Sequence, residues 1–342
     1  MMKKTIAVII ALIMLTLIAP SALADEFSEY KKAGALYTAK TTINTSLYDD
    51  IICDPDTSKR NVSLGVGATI YVYDVQPNYV VASRSGVFGY ILRRRIGSVK
   101  TIDPVNTKPY AADPQEYIAK LAVDSPLYAE KDESSEVLRQ LSKGTKITID
   151  HIEDGWVALP YIRQFAYLPI SVIDELIPVA VDVTPSYPEM PIGAYISFFK
   201  DSDNWENVNR MFNLKHGAEM LSVTIQSGEK YDFNDRFGSP SFRANGFQPA
   251  PILSSKATNG YGGGTCQVSS TTYNVCLQLP GIGILYRRAH GGNCATYLPH
   301  GADAAIGSEA LNFIFCNNYD FPIRIEATTQ SSVLFIAFYR AD

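Results

Sequence analysis

An internal repeat restricts the fold more than any other feature of the chain. Residues 39–48 read AKTTINTSLY and residues 119–128 read AKLAVDSPLY, with Ala-Lys and Leu-Tyr at equal spacing. The match runs on downstream. Leu64, Gly67, Ile70 and Val72 correspond to Leu141, Gly144, Ile147 and Ile149; Tyr79-Val80 corresponds to Trp156-Val157, and Tyr90-Ile91 to Tyr167-Leu168. The offset slips from 80 to 77, so the first copy carries three extra loop residues. Ile70 with Val72, and Ile147 with Ile149, alternate at strand period, and Gly67 and Gly144 suit the turns before them. About five short strands in about 65 residues predict a small closed or half-closed barrel.

The second copy, about residues 115–176, resembles the bacterial SH3-like (SH3b) domain, and the first, about 34–104, is a more divergent likeness. The resemblance implies modules that hold a catalytic partner against peptidoglycan, or spacers without a ligand. Two joints are visible. Residues 103–114 hold three prolines and residues 177–193 hold four, and both read as semi-rigid linkers.

The chain opens as a secretory signal does. Lys3 and Lys4 precede an apolar run from Ile6 to Ala19, and Ala22-Leu23-Ala24 offers a small-x-small cleavage site. A signal peptide over 1–24 is expected, with Asp25 as the new N-terminus and no Cys after the cut for a lipid anchor. No later run is long enough for a bilayer span, which needs about 20 residues. Cleavage leaves 28 Lys+Arg against 35 Asp+Glu, a net charge of −7. A mildly acidic chain without a basic stripe argues against a nucleic-acid partner. A secreted, monomeric cell-envelope protein is expected.

From residue 194 the pattern changes to an α+β domain over 194–342. Asp203 to Leu221 reads as a helix, with Trp205, Val208, Met211, Phe212 and Met220 near helical spacing. Thr224 to Phe237 reads as a strand and a turn, and three strands are expected near 310–316, 321–328 and 332–339. Between them, Gly262-Gly263-Gly264 leads into Thr265-Cys266-Gln267 and a helical stretch from Val268 to Leu279. The fold class is therefore multi-domain: two small all-β barrels, then an α+β domain.

A Cys at a helix N-terminus has a direct chemical use. Free N–H groups and partial positive charge there favour a thiolate and an oxyanion, and glycines admit a substrate backbone. Cys266 is thus a candidate nucleophile; it could equally be a buried structural Cys, or pair with Cys276 or Cys294. The five cysteines (Cys53, Cys266, Cys276, Cys294 and Cys316) are odd in number, so at least one thiol stays free or pairs between chains. A nucleophile needs a base. Of four histidines, His151 lies in the second barrel, His216 on the expected helix, and His300 in a loop. His290 follows Arg287-Arg288 at a strand end and is the best-placed base. Asp303 is the natural carboxylate. No His/Cys/Asp cluster has metal-ligand spacing, so neither a metal nor another cofactor is expected.

The run YGGGTCQVSSTTYNVCLQLPGIGILYRRAHGGNCATYLPHGADAAIG resembles the VanW domain, as do LSVTIQSGEKYDFNDRFG upstream and NFIFCNNYDFPIRIEA at the end. The likeness covers nearly all of 205–340. It departs at His290-Gly291, where the family shows His-Ser, and at Gly228-Glu229, which lacks a preceding proline. The resemblance, to a family named from vancomycin-resistance clusters, implies an L,D-transpeptidase that makes 3-3 cross-links in peptidoglycan. In that reading Cys266 attacks a stem tetrapeptide, His290 is the base and Asp303 orients it. Gly264 and Gln267 bind the oxyanion. Tyr273, Asn274, Arg287, Arg288 and Tyr297 line or brace the substrate site. Stem peptides are the expected partners, with glycan as a further one. A cysteine peptidase of the cell wall and a non-catalytic peptidoglycan-binding or glycopeptide-resistance accessory protein are the rival readings.

Overall fold

The computed structural model describes residues 26–75, 78–102, 114–162, 164–180, 182–252, 259–290, 295, 297–298 and 302–341. The expected signal peptide, the first linker up to Asp113, Cys294 and His300 lie outside the described residues. No helix among the described residues is long and apolar enough to cross a membrane.

The repeat has a packing reason. In the first copy Ala39, Leu47, Leu64, Ile70, Val72, Val80 and Ile91 are buried together. Their counterparts Ala119, Leu127, Leu141, Ile147, Ile149, Val157 and Leu168 are buried together in the second. Gly67 and Gly144 both take positive φ (76° and 81°), which a side chain resists. Their N–H groups donate to Thr41 O and Leu121 O, each at 2.8 Å. A short 3-10 turn follows the last matched strand in each copy, at Arg93–Arg95 and Ile170–Val172. The strands of the first copy form one seven-stranded antiparallel sheet, whereas the second divides into sheets of five and three strands.

The second module is not a bead on a string. Its core runs without a break into the C-terminal domain: Val157, Leu159 and Tyr161 pack with Ala194, Ile196, Phe198, Val333, Phe335 and Ala337. The Tyr161 and Phe198 rings are 4.8 Å apart, and Lys146 pairs with Glu326. The proline-rich segment 177–193 is stitched to both sides. Val179 N–H donates to Glu116 O (2.9 Å), and Ile192 N–H donates to Phe338 O (2.8 Å).

Among the described residues the C-terminal domain has two larger antiparallel sheets and a small two-stranded one, Pro249–Pro251 with Asn259–Tyr261. Gly193–Phe198, Val333–Arg340, Ile323–Gln330 and Thr224–Ile225 lie side by side in that order. Phe313–Asn317 is flanked by Lys230–Asp232 and Ile282–Arg287. The expected helices form over Trp205–Leu221 and Thr265–Cys276. The first buries only part of the face its apolar residues suggest: Met211 and Met220 pack against the core. Trp205, Val208 and Phe212 are 58%, 45% and 47% exposed, while Asn207, Asn213, Leu214, Gly217, Ala218 and Leu221 face inward. The two asparagines are inside because they clamp loops. Asn213 Nδ2 donates to Gln248 O and Gly263 O, both at 2.9 Å, and its Oδ1 accepts from Gln248 N–H at 2.7 Å. Three well-made hydrogen bonds offset the cost of burying an amide.

Candidate active site

The glycine turn is shaped by its protein neighbours. A Cβ on Gly263 would meet Pro251 O at 2.6 Å and Ala250 O at 2.8 Å. Gly264 caps the Thr265–Cys276 helix with φ 109°, and a Cβ there would press on Arg210 at 3.2 Å. Both residues are buried, so the turn needs glycine to pack against the chain. Gln267 also turns inward. Its amide donates to Ser197 Oγ and Phe198 O (3.0 Å each) and accepts from Arg210 Nη2 (3.1 Å). Its backbone N–H donates to Gly264 O at 2.9 Å. The N–H of Cys266 has no partner among the described residues. That group, not the Gln267 amide, is free to meet an oxyanion.

Cys266 is partly exposed and free. Its Sγ lies 3.4 Å from both the N and the O of Ile306. Cys53, Cys276 and Cys316 are also free thiols, and all three are buried. Burial pushes the Cys276 thiol well above its ordinary range and that of Cys53 up to about 12, so neither is a nucleophile at neutral pH.

His290 and Asp303 come to the same place. Asp303 Oδ2 accepts from the His290 backbone N–H at 2.6 Å and lies 2.8 Å from Nδ1 of its ring. With Nδ1 held there, Nε2 is the ring nitrogen left to face Cys266, whose thiol is among the groups that favour the charged ring. Burial opposes the charged imidazole. The hydrogen bonds and charges of Asp303 and Cys266 overcome it and raise the ring from 6.5 to about 10. Asp303 is 5% exposed, and burial alone would raise its carboxyl. The hydrogen bonds from His290 and the Arg287 charge reverse that and hold it below its ordinary range.

The segment 302–306 is pinned residue by residue. Asn274 Nδ2 donates to Ala302 O (2.7 Å), and Arg287 Nε donates to Asp303 O (2.7 Å). Ala304 N–H donates to Ser270 Oγ (2.9 Å), while Ser269 Oγ donates to Ala304 O (2.6 Å). Ala305 N–H donates to Arg288 O (2.7 Å), and Ile306 meets Cys266. A helix face and a strand end thus fix the height of Asp303 against Cys266. Arg287 is itself braced: its guanidinium sits 4.8 Å over the Tyr273 ring and 3.6 Å from Asp303 Oδ1.

Tyr297 Oη lies 3.4 Å from Ser270 Oγ, one helical turn after Cys266. Arg288 is exposed and turned to Tyr286, with Nε 3.3 Å from its hydroxyl. Ser269, Ser270, Ile306 and Arg210 join the site without having been singled out from sequence. Ser269 and Ser270 stand three and four places after Cys266, a spacing that puts them on its helix face. Arg210 and Ile306 carry no such signal.

Comparison with known proteins agrees with this geometry in extent. Residues 209–339 match the family model described as VanW like protein. The protein described as "Uncharacterized protein YoaR" from Bacillus subtilis (strain 168) is 31% identical over 153 residues, 44% of this chain and 48% of its own. The chain therefore spans about half the length of that curated relative. Two solved structures from Trichomonas vaginalis, NlpC2 and NlpC1, align over 91% and 90% of this chain and 99% and 94% of theirs. Their 11% identity and TM-score of 0.17 carry no argument.

Proposed function

We propose that this chain, in which residues 209–339 form a VanW family domain, is a cell-wall L,D-transpeptidase with Cys266 as its nucleophile. One observation carries the reading. Cys266, His290 and Asp303, from a helix start, a strand end and a pinned loop, meet as thiol, imidazole and buried carboxylate. That is the arrangement acyl transfer through a thioester requires.

The imidazole enters the reaction charged, and a thiolate is the attacking form of cysteine. Cys266 Sγ bonds to the carbonyl carbon of the third stem residue. The carbonyl electrons move to oxygen, where the Cys266 N–H at the helix start can hold them. His290 gives its Nε2 proton to the departing amine as the C–N bond to the terminal D-alanine breaks. A thioester on Cys266 remains. The side-chain amine of a neighbouring stem then attacks, neutral His290 takes its proton, the C–S bond breaks and Cys266 leaves as thiolate. Asp303 keeps Nδ1 protonated throughout, so Nε2 is always the working nitrogen.

In the same reading the chain is exported and works in the cell envelope. The two repeated β-modules are SH3-like domains that present the C-terminal domain to peptidoglycan. The shared core of the second module supports a presenting role, because it fixes one module rigidly against the catalytic domain.

The test uses purified protein, disaccharide-tetrapeptides and mass spectrometry, with wild type beside Cys266→Ala. A 3-3 dimer, or exchange of the terminal D-amino acid, that disappears in the variant is the expected result. Free tripeptide without dimers would mean a cysteine peptidase. No product from either protein would mean a binding protein.

A further inference from the structure

Arg210 lies on the inner side of the Trp205–Leu221 helix, half-buried, with its stem against Gly264. Its Nη2 donates to Gln267, the residue after the nucleophile. It makes no ion pair among the described residues. Glu206, one turn earlier on the same helix, is engaged elsewhere: its Oε1 accepts from Asn259 Nδ2 at 3.1 Å. The other arginines near the site differ. Arg287 is tied to Asp303, and Arg288 is exposed over Tyr286. Tyr297 stands with its hydroxyl 3.4 Å from Ser270 Oγ, one helical turn after Cys266. Burial, then the Cys266 charge, hold its hydroxyl above the ordinary range, and the Arg210 charge works the other way, so both groups are within electrostatic reach of one side chain.

An arginine without an acid, held by one neutral amide oxygen beside a nucleophile, has its remaining donors free for an anion. A guanidinium offers a fork that matches a carboxylate in two parallel hydrogen bonds. Resting on the function read above, we propose that Arg210 is an anion subsite beside Cys266 that holds a carboxylate of the stem peptide. The subsite selects a donor that carries a free carboxylate, and it sets the peptide's register on Cys266.

Labelling of Cys266 tests the subsite without any turnover. Iodoacetate carries the carboxylate, and iodoacetamide is its neutral counterpart. The ratio of their alkylation rates at Cys266, read by peptide mass spectrometry, measures anion attraction at the thiol. Arg210→Gln is expected to lower the ratio about tenfold, and any change in the thiolate population cancels because both reagents meet the same thiolate. Arg210→Lys keeps a positive charge and should restore most of the ratio while losing the fork. If the glutamine variant does not fold, Arg210→Met keeps the aliphatic stem against Gly264 and makes the same measurement. An unchanged ratio in the neutral variants overturns the proposal. A fallen ratio in a protein that makes no 3-3 dimer leaves the subsite standing and sinks the transpeptidase. Dimer formation with an unchanged ratio does the reverse.

Discussion

Replacing Asp303 with Asn exchanges one oxygen for nitrogen and removes one charge, with almost no change of shape. Its consequence for His290 can be worked out. The ring is raised from 6.5 to about 10, a preference for its charged form of about 5 kcal/mol. Burial works against that preference, so Asp303 and Cys266 together supply more than the net. An opposite charge at 2.8 Å from a ring nitrogen accounts for about one to three pH units. The Asp303→Asn ring should therefore titrate about one to three pH units lower than in wild type.

NMR of labelled histidine rings suits this test, because the chain has only four histidines. His290→Gln identifies the signal. The Asp303→Asn variant should also lose about two to four orders of magnitude in acyl transfer, since an amide can favour the wrong tautomer. A His290 signal that still titrates near 10 in Asp303→Asn would refute the reasoning. The proton would then be held by something other than this carboxylate.

The remaining predictions address the fold and the pH response. His290 has a raised folded value, so its contribution to stability is complete below pH 6.5 and is lost as pH rises through about 10. Urea denaturation should show the gap between wild type and His290→Gln closing over that window; a gap that widens with pH contradicts it. Asn213→Leu leaves the buried Gly263 O without its partner and removes two part-buried bonds to Gln248, whose carbonyl keeps the Gly262 N–H, and should cost about 1–3 kcal/mol in a denaturant titration. Phe198→Ala opens a cavity in the core shared by the second module and the C-terminal domain, and should cost about 3–5 kcal/mol. In calorimetry those two units should melt together; two separate transitions for them would break the shared-core reading. Cys266→Ala removes a partly exposed thiol, so its melting temperature should stay close to wild type while thioester formation disappears.

Much of this was legible in the residues themselves. The repeat predicted two modules, and its matched aliphatics are the buried ones in both, because a strand buries every second side chain regardless of what it later packs against. The glycine turn before Cys266 predicted a helix start, because backbone geometry is local. What tertiary structure decided was where polar groups go. The Trp205–Leu221 helix turns its asparagines inward and leaves Trp205 in solvent, since distant loops offer Asn213 the partners that no local pattern reveals. Gln267 clamps the sheet edge at Ser197 and Phe198 for the same reason. Arg210 and Gln267 stand 57 positions apart, and only the packing of two helices brings the arginine to the residue after the nucleophile. Periodicity records which side of an element is apolar; hydrogen-bond partners and charge neighbours depend on residues far along the chain.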